Sequence, residues 1–120
     1  MPYTAFMSDA SQVTTRRVRD VCVVELPGSF TSESSQSFNE KVEWALADTP
    51  GGVVVDFSAV QSADSGGVNA LKFLFERSRE VDIPVVFSGV SAATRTLLEQ
   101  GGYLKSAQVA TNVDEAVEMI

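Results

Sequence analysis

Apolar residues along this chain fall into short clusters whose spacing switches between two periods. Val21-Cys22-Val23-Val24-Glu25-Leu26 is a dense apolar run that reads as a strand, and weaker alternation over Val13 to Val18 precedes it, with Arg19-Asp20 as the turn between them. Pro27-Gly28 breaks the second strand. Phe38, Val42, Ala45 and Leu46 then recur at i, i+4, i+7 and i+8, the stripe of an amphipathic helix. Thr31, Ser32 or Ser34 supplies its N-cap, because a short side-chain oxygen can accept from the open amides of the first turn. Thr49-Pro50-Gly51-Gly52 stops the helix. Trp44 lies off the stripe, either partly exposed or covering the helix edge.

Val53-Val54-Val55-Asp56-Phe57 is continuous, β-branched and bounded by breakers, the pattern of a strand buried on both faces. A loop from Ser58 to Ala63 leads to a helix that starts at Asp64 or Ser65, turns Val68, Leu71, Leu74 and Phe75 inward, and ends around Val81-Asp82. Phe73 points off that face, towards core packing or an interface. Pro84-Val85-Val86-Phe87 is a further buried strand closed by Ser88-Gly89. Ser91 caps a third helix carrying Leu97 and Leu98, which Gly101-Gly102 stops. Ala107 to Ala110 forms a short last strand, and Asn112 caps a final helix with Val113, Ala116, Val117 and Ile120 at helical spacing.

The order β-β-α-β-α-β-α-β-α predicts a single α/β domain. Its sheet is mostly parallel, of four to five strands with an antiparallel N-terminal strand, packed against about four helices. Residues 1–10 lack a clear period and read as a loose lead-in, leaving 11–120 as the domain.

Composition narrows the function. A formal net charge of −7 disfavours nucleic acid, whose phosphates call for Lys and Arg, and disfavours anionic membrane surfaces for the same reason. No apolar stretch reaches the roughly 20 residues that a helix needs to span a bilayer, so membrane insertion is not expected. The one cysteine, Cys22, sits inside an apolar run and reads as a small hydrophobe; with no signal peptide pattern, this predicts a reducing, cytoplasmic setting. The chain has no histidine, which removes the usual general base and the usual zinc ligand. Asp56, Asp64 and Asp82 do not form a recognisable ligand spacing, and no phosphate-binding GxxxxGK loop occurs. Neither cofactor nor metal is expected, and no catalytic residue is assigned: Ser65 with Asp56 or Asp64 would lack a base able to take its proton near neutral pH.

The most informative segment runs from Val53 to Leu71. A buried strand passes through a loop into Asp64-Ser65-Gly66-Gly67 at the mouth of a helix. Asp64 can cap the first turn, Ser65 then presents its hydroxyl near solvent, and the two glycines leave the backbone open. A phosphate on Ser65 would be tolerated by the helix N-terminus, yet it would add about −1.5 to −2 charge beside Asp64. The repulsion would fall on whatever docks there. Read locally, the same residues are also an ordinary helix cap followed by an ordinary glycine loop.

The combination of elements and motif resembles the STAS family, shared by anti-sigma-factor antagonists and the cytoplasmic tails of sulfate transporters. The family pattern of an apolar strand, Asp-Leu-Ser, a short loop, Asp-Ser-Ser/Thr-Gly and a hydrophobic helix stands here as Val53-Val54-Val55-Asp56-Phe57-Ser58, then Asp64-Ser65-Gly66-Gly67-Val68 with Leu71 after it. Gly28 stands where the family has a glycine in its first strand-to-helix loop, and Ser91 to Leu104 is similar to the helix that ends in a glycine before the last strand. The resemblance implies that Ser65 is the phosphoacceptor and that Ser58, Ser62, Asp64, Ser65, Gly66, Gly67 and Thr31 meet the partner, on a face that includes the Ser58–Ala63 loop, the Ser65 helix and the Gly28–Ser32 loop. It implies a serine kinase-like anti-sigma factor of the histidine-kinase-like ATPase type as that partner, released on phosphorylation, and a serine phosphatase that resets the switch. The alternative it implies is an accessory subunit or scaffold of a transporter or signalling assembly, not controlled by Ser65. A monomer or weak dimer fits either. Three positions depart from the pattern: Gly66 replaces a second hydroxyl residue, Thr31 stands where many antagonists carry an aspartate, and Ser62-Ala63 replace larger apolar residues.

Overall fold

Runs rich in Val place β-branched side chains on both faces of the central strands, which is what a sheet covered by helices on each side requires. The computed structural model of the protein describes residues 12–48, 50–105 and 107–120. The lead-in at 1–10 and Thr49 lie outside the described residues. In chain order the elements are β1 (Thr14–Val18), β2 (Val21–Glu25), β3 (Ser29–Phe30), α1 (Ser35–Ala47), β4 (Gly52–Asp56), β5 (Ser62–Ala63), α2 (Ser65–Glu80), β6 (Val85–Ser88), α3 (Ala92–Gln100), β7 (Gln108–Ala110) and α4 (Val113–Glu118). Two 3-10 turns, Ser32–Ser34 and Tyr103–Lys105, precede α1 and β7.

The main sheet has five strands in the order β1-β2-β4-β6-β7. β1 and β2 are antiparallel, with Val18 opposite Val21 across a two-residue link, and Arg19 takes up the left-handed conformation (φ 56°) that so tight a link demands. Every other pairing in this sheet is parallel. The alternation of side chains along each strand divides the core in two. Val24, Val53, Val55 and Phe87 face α1, α2 and α3 and pack with Phe38, Val42, Leu46, Val68, Leu71, Leu74, Phe75 and Leu98. Val21, Val23, Val54, Val86 and Ala110 face the opposite way and are covered by Ala116 and Val117 of α4. Edge-to-face contacts of Phe57 on Phe87 and of Phe30 on Phe38 tie the ends of the strands to this core.

The predicted helix stripes are buried where their spacing places them, on α1 at Phe38, Val42, Ala45 and Leu46 and on α2 at Val68, Leu71, Leu74 and Phe75. Phe73 packs against the larger core cluster. Trp44 is 76% exposed. Four details differ from the expectation. The entry to α1 is a separate 3-10 turn capped by Thr31, while Ser34, at the N-cap position of α1 itself, makes no side-chain cap bond. Gly51 and Gly52 do not stop α1, which ends at Ala47; the Gly51 amide donates to the Asp20 carbonyl, and Gly52 opens β4. Ile120 lies beyond α4 and packs on Gly52, where any side chain would strike it. The stretches read as loops after β2 and β4 each contain a strand, β3 and β5, which pair in parallel as a separate two-stranded sheet.

Candidate functional site

The site grows from the C-terminal end of β4. Asp56 Oδ1 accepts from the Ser58 amide (3.0 Å) and, at 3.5 Å, from the Ser88 hydroxyl, so this carboxylate turns the chain out of the sheet. Ser58 is exposed, and its backbone lies against Gly89 in the link from β6 to α3: a Cβ on Gly89 would sit 3.0 Å from the Ser58 Cβ, and Gly89 has φ 68°. A glycine suits that position on both counts. Farther along the loop, the Gln61 and Ser62 amides both donate to the Gly28 carbonyl (2.8 and 3.1 Å). Ser29 pairs with Ser62 and Phe30 with Ala63, and the Asp64 amide donates to the Phe30 carbonyl at 3.3 Å. Phe30 is fully buried and anchors this corner from below.

α2 starts at Ser65. The Asp64 carboxylate accepts from the Gly67 amide at 2.8 Å, satisfying one of the open donors of the first turn. Gly67 is buried because the first turn of α2 presses on β3: any Cβ there would run into the Phe30 carbonyl and the Thr31 amide. Ser65 is exposed, and its hydroxyl makes no hydrogen bond among the described residues. Ser62 and Asp64 are exposed beside it, and Gly66 is half-buried. Neither Asp64 nor Glu33 of the 3-10 turn makes an ion pair among the described residues.

The neighbouring loop is locked by serine and threonine hydroxyls. Thr31 Oγ1 accepts from the Glu33 amide, Ser34 Oγ accepts from the Thr31 amide, and the buried Ser34 hydroxyl donates to the Ser29 carbonyl at 3.0 Å. Thr31 is half-buried, and its hydroxyl is engaged in this cap.

Thr31, Ser62, Asp64, Ser65, Gly66 and Gly67 thus meet around the β3–β5 pair. Ser58 lies at the far end of the same loop, against the β6–α3 link. The sequence puts the Gly28–Ser32 loop on the binding face, but it does not reveal that Phe30, Ser34 and Gly89 hold the site in shape or that Ser32 stands directly in front of Gly66. The one usable signal was Phe30, an isolated apolar residue in a polar stretch. Gly28 contributes its carbonyl; space for a side chain remains there, since a Cβ would meet only the Ala59 carbonyl, at 3.6 Å. Among the described residues no group of three or more His, Cys, Asp or Glu is placed to hold a metal, and no helix is long and apolar enough to cross a membrane.

The STAS domain family model matches residues 12–116. Among solved structures, an anti-sigma factor antagonist from Mycobacterium paratuberculosis is 25% identical, with 94% of this chain and 97% of that chain covered and a TM-score of 0.76. SpoIIAA of Bacillus, an anti-sigma factor antagonist known in unphosphorylated and phosphorylated forms, is 17% identical in each, covering 89% of this chain with TM-scores of 0.76 and 0.69 and 94% and 97% of that chain. A sulfate transporter family protein from Wolinella succinogenes is 20% identical, with 87% of both chains covered and a TM-score of 0.72. No curated protein sequence matches. The order of elements, the acidic cap before an exposed serine at the start of α2, and a family match across nearly the whole described chain agree: the protein belongs to the STAS-domain family.

Proposed function

We propose that this STAS domain is an anti-sigma-factor antagonist that binds a serine kinase-like anti-sigma factor through the corner built by β3, β5 and the first turn of α2, and that phosphorylation of Ser65 ends the binding. The observation that carries this reading is the state of Ser65: first residue of a 16-residue helix, exposed, its hydroxyl unbonded among the described residues, directly after the capping carboxylate. A kinase can reach such a hydroxyl. The helix N-terminus tolerates the added phosphate, so the fold survives modification. Asp64 spends its Oδ1 on the Gly67 amide, and the phosphate charge added beside this carboxylate opposes docking by like-charge repulsion and by the cost of desolvating it. The protein acts by binding, and the transfer chemistry belongs to its partner kinase and to a serine phosphatase. The shared fold with antagonists from two other sources supports the reading.

The test is affinity capture from lysate of the source organism with wild type, Ser65→Ala and Ser65→Glu, bound proteins being identified by mass spectrometry. A kinase-like ATPase held by wild type and Ser65→Ala and lost with Ser65→Glu is the expected result. Capture of a membrane permease, indifferent to Ser65, would assign the accessory role instead, for which the likeness to the sulfate transporter family protein is the support.

A further inference from the structure

Position 66 of the motif carries no side chain, and the structure shows what occupies its place. An ideal Cβ on Gly66 would lie 2.8 Å from the Ser32 Cβ and 3.3 Å from the Ser32 Cα, closer than carbon atoms pack. Ser32 belongs to the 3-10 turn ahead of α1, 34 residues earlier in the chain, and it is exposed. Its hydroxyl makes no hydrogen bond among the described residues, unlike those of Thr31 and Ser34 on either side, which hold the turn. The Ser32 side chain therefore occupies the place that a side chain at 66 would take, one residue from Ser65, with its hydroxyl unengaged among the described residues.

We propose that Ser32 is a specificity-determining residue of the docking surface: it supplies from the 3-10 turn the second hydroxyl that Gly66 lacks, and the pair Ser32–Gly66 works as a unit in partner recognition. The inference rests on the proposed function, since it concerns the same partner. Two steric consequences follow from the geometry. A side chain added at 66 while Ser32 is present must push the turn away from α2. Removing the Ser32 side chain opens the space in which a serine at 66 can stand.

The test uses the full chain and the Ser65-sensitive partner captured above, with binding read by titration calorimetry and folding by urea denaturation. Ser32→Ala keeps the Cβ and the fold and is expected to weaken binding by about three- to tenfold, the loss of one hydrogen bond, with an unchanged urea midpoint. Gly66→Ser alone is expected to lower both affinity and midpoint, and Ser32→Gly/Gly66→Ser to recover both to near wild type. That coupling is the signature of residues in contact. Unchanged affinity in Ser32→Ala, or a double variant no better than Gly66→Ser, overturns the inference and leaves the Ser65 switch standing. Failure to find any partner sensitive to Ser65→Glu overturns the functional reading and this inference with it.

Discussion

Gly67 carries the largest steric constraint in the site. Alanine is favoured over glycine within a helix by about 1 kcal/mol, so propensity alone would reward Gly67→Ala. The Phe30 carbonyl decides otherwise, because the added methyl meets backbone that is itself fixed by the Asp64 amide. Overpacking of this kind costs about 1–3 kcal/mol, and the collision here is with main chain and not with the end of a movable side chain. Gly67→Ala is therefore expected to destabilise the protein by about 1–2 kcal/mol net, the upper part of that cost less the gain in helix propensity. Urea denaturation measures it, and a rise in midpoint would refute the packing of α2 on β3. The motif glycine is thus a close-approach residue, a role the sequence reading of an open, accessible backbone did not foresee. The Asp64 cap, by contrast, is where local rules put it.

At the scale of elements, the β3–β5 pair is what converts two loops into a site. Strands of two residues bury little and depend on their surroundings. The Ser34 hydroxyl fastens the Ser29 carbonyl and the Thr31 amide beneath the corner, and it is fully buried. Ser34→Ala removes that fastening and leaves two part-buried backbone groups unpaired, at a cost of about 1–2 kcal/mol. The loss is expected to be local: hydrogen exchange at the Asp64 and Ser62 amides, which bond to the Phe30 and Gly28 carbonyls, should accelerate more than exchange in β4. Equal acceleration everywhere would mean that Ser34 supports the whole core and not this corner. The surface ion pairs Arg16–Glu25, Arg17–Asp48 and Arg77–Glu43 are exposed and contribute little by comparison.

Among the described residues of the whole molecule, the sheet lies between α1, α2 and α3 on one side and the short α4 on the other, and Cys22 reports on that closure. It lies on β2, 6% exposed. Burial pushes its thiol up; Arg17 acts against this and Asp48 with it. Because the folded chain favours the neutral thiol, the resulting stability is fully present below the ordinary thiol pKa of about 8.5 and is lost as pH rises through it towards the raised value. Alkylation of Cys22 by iodoacetamide at pH 8 is expected to be slow in the native protein and fast in urea. Fast native labelling would show that the face of β2 towards α1 is open. Trp44, the sole tryptophan, is too exposed to report on the same event.

The sequence by itself determined the sequence of major elements, both faces of the central strands, the inward stripes of α1 and α2, and the caps at Asp64, Ser91 and Asn112. These are properties of neighbours within a turn or a strand, and side-chain period and capping chemistry express them locally. The resemblance drawn from Asp64-Ser65 and the preceding strand named the family as well. Only the tertiary structure decided that Gly67 lies under Phe30, that Ser32 fills the space before Gly66, that Ser58 leans on Gly89, and that two loops pair as strands. Each of these joins segments about 30 residues apart or more, through one backbone approach or one side-chain contact. No periodic pattern records such a contact, because a two-residue strand has no period to repeat and a glycine written in the chain does not say what presses against it.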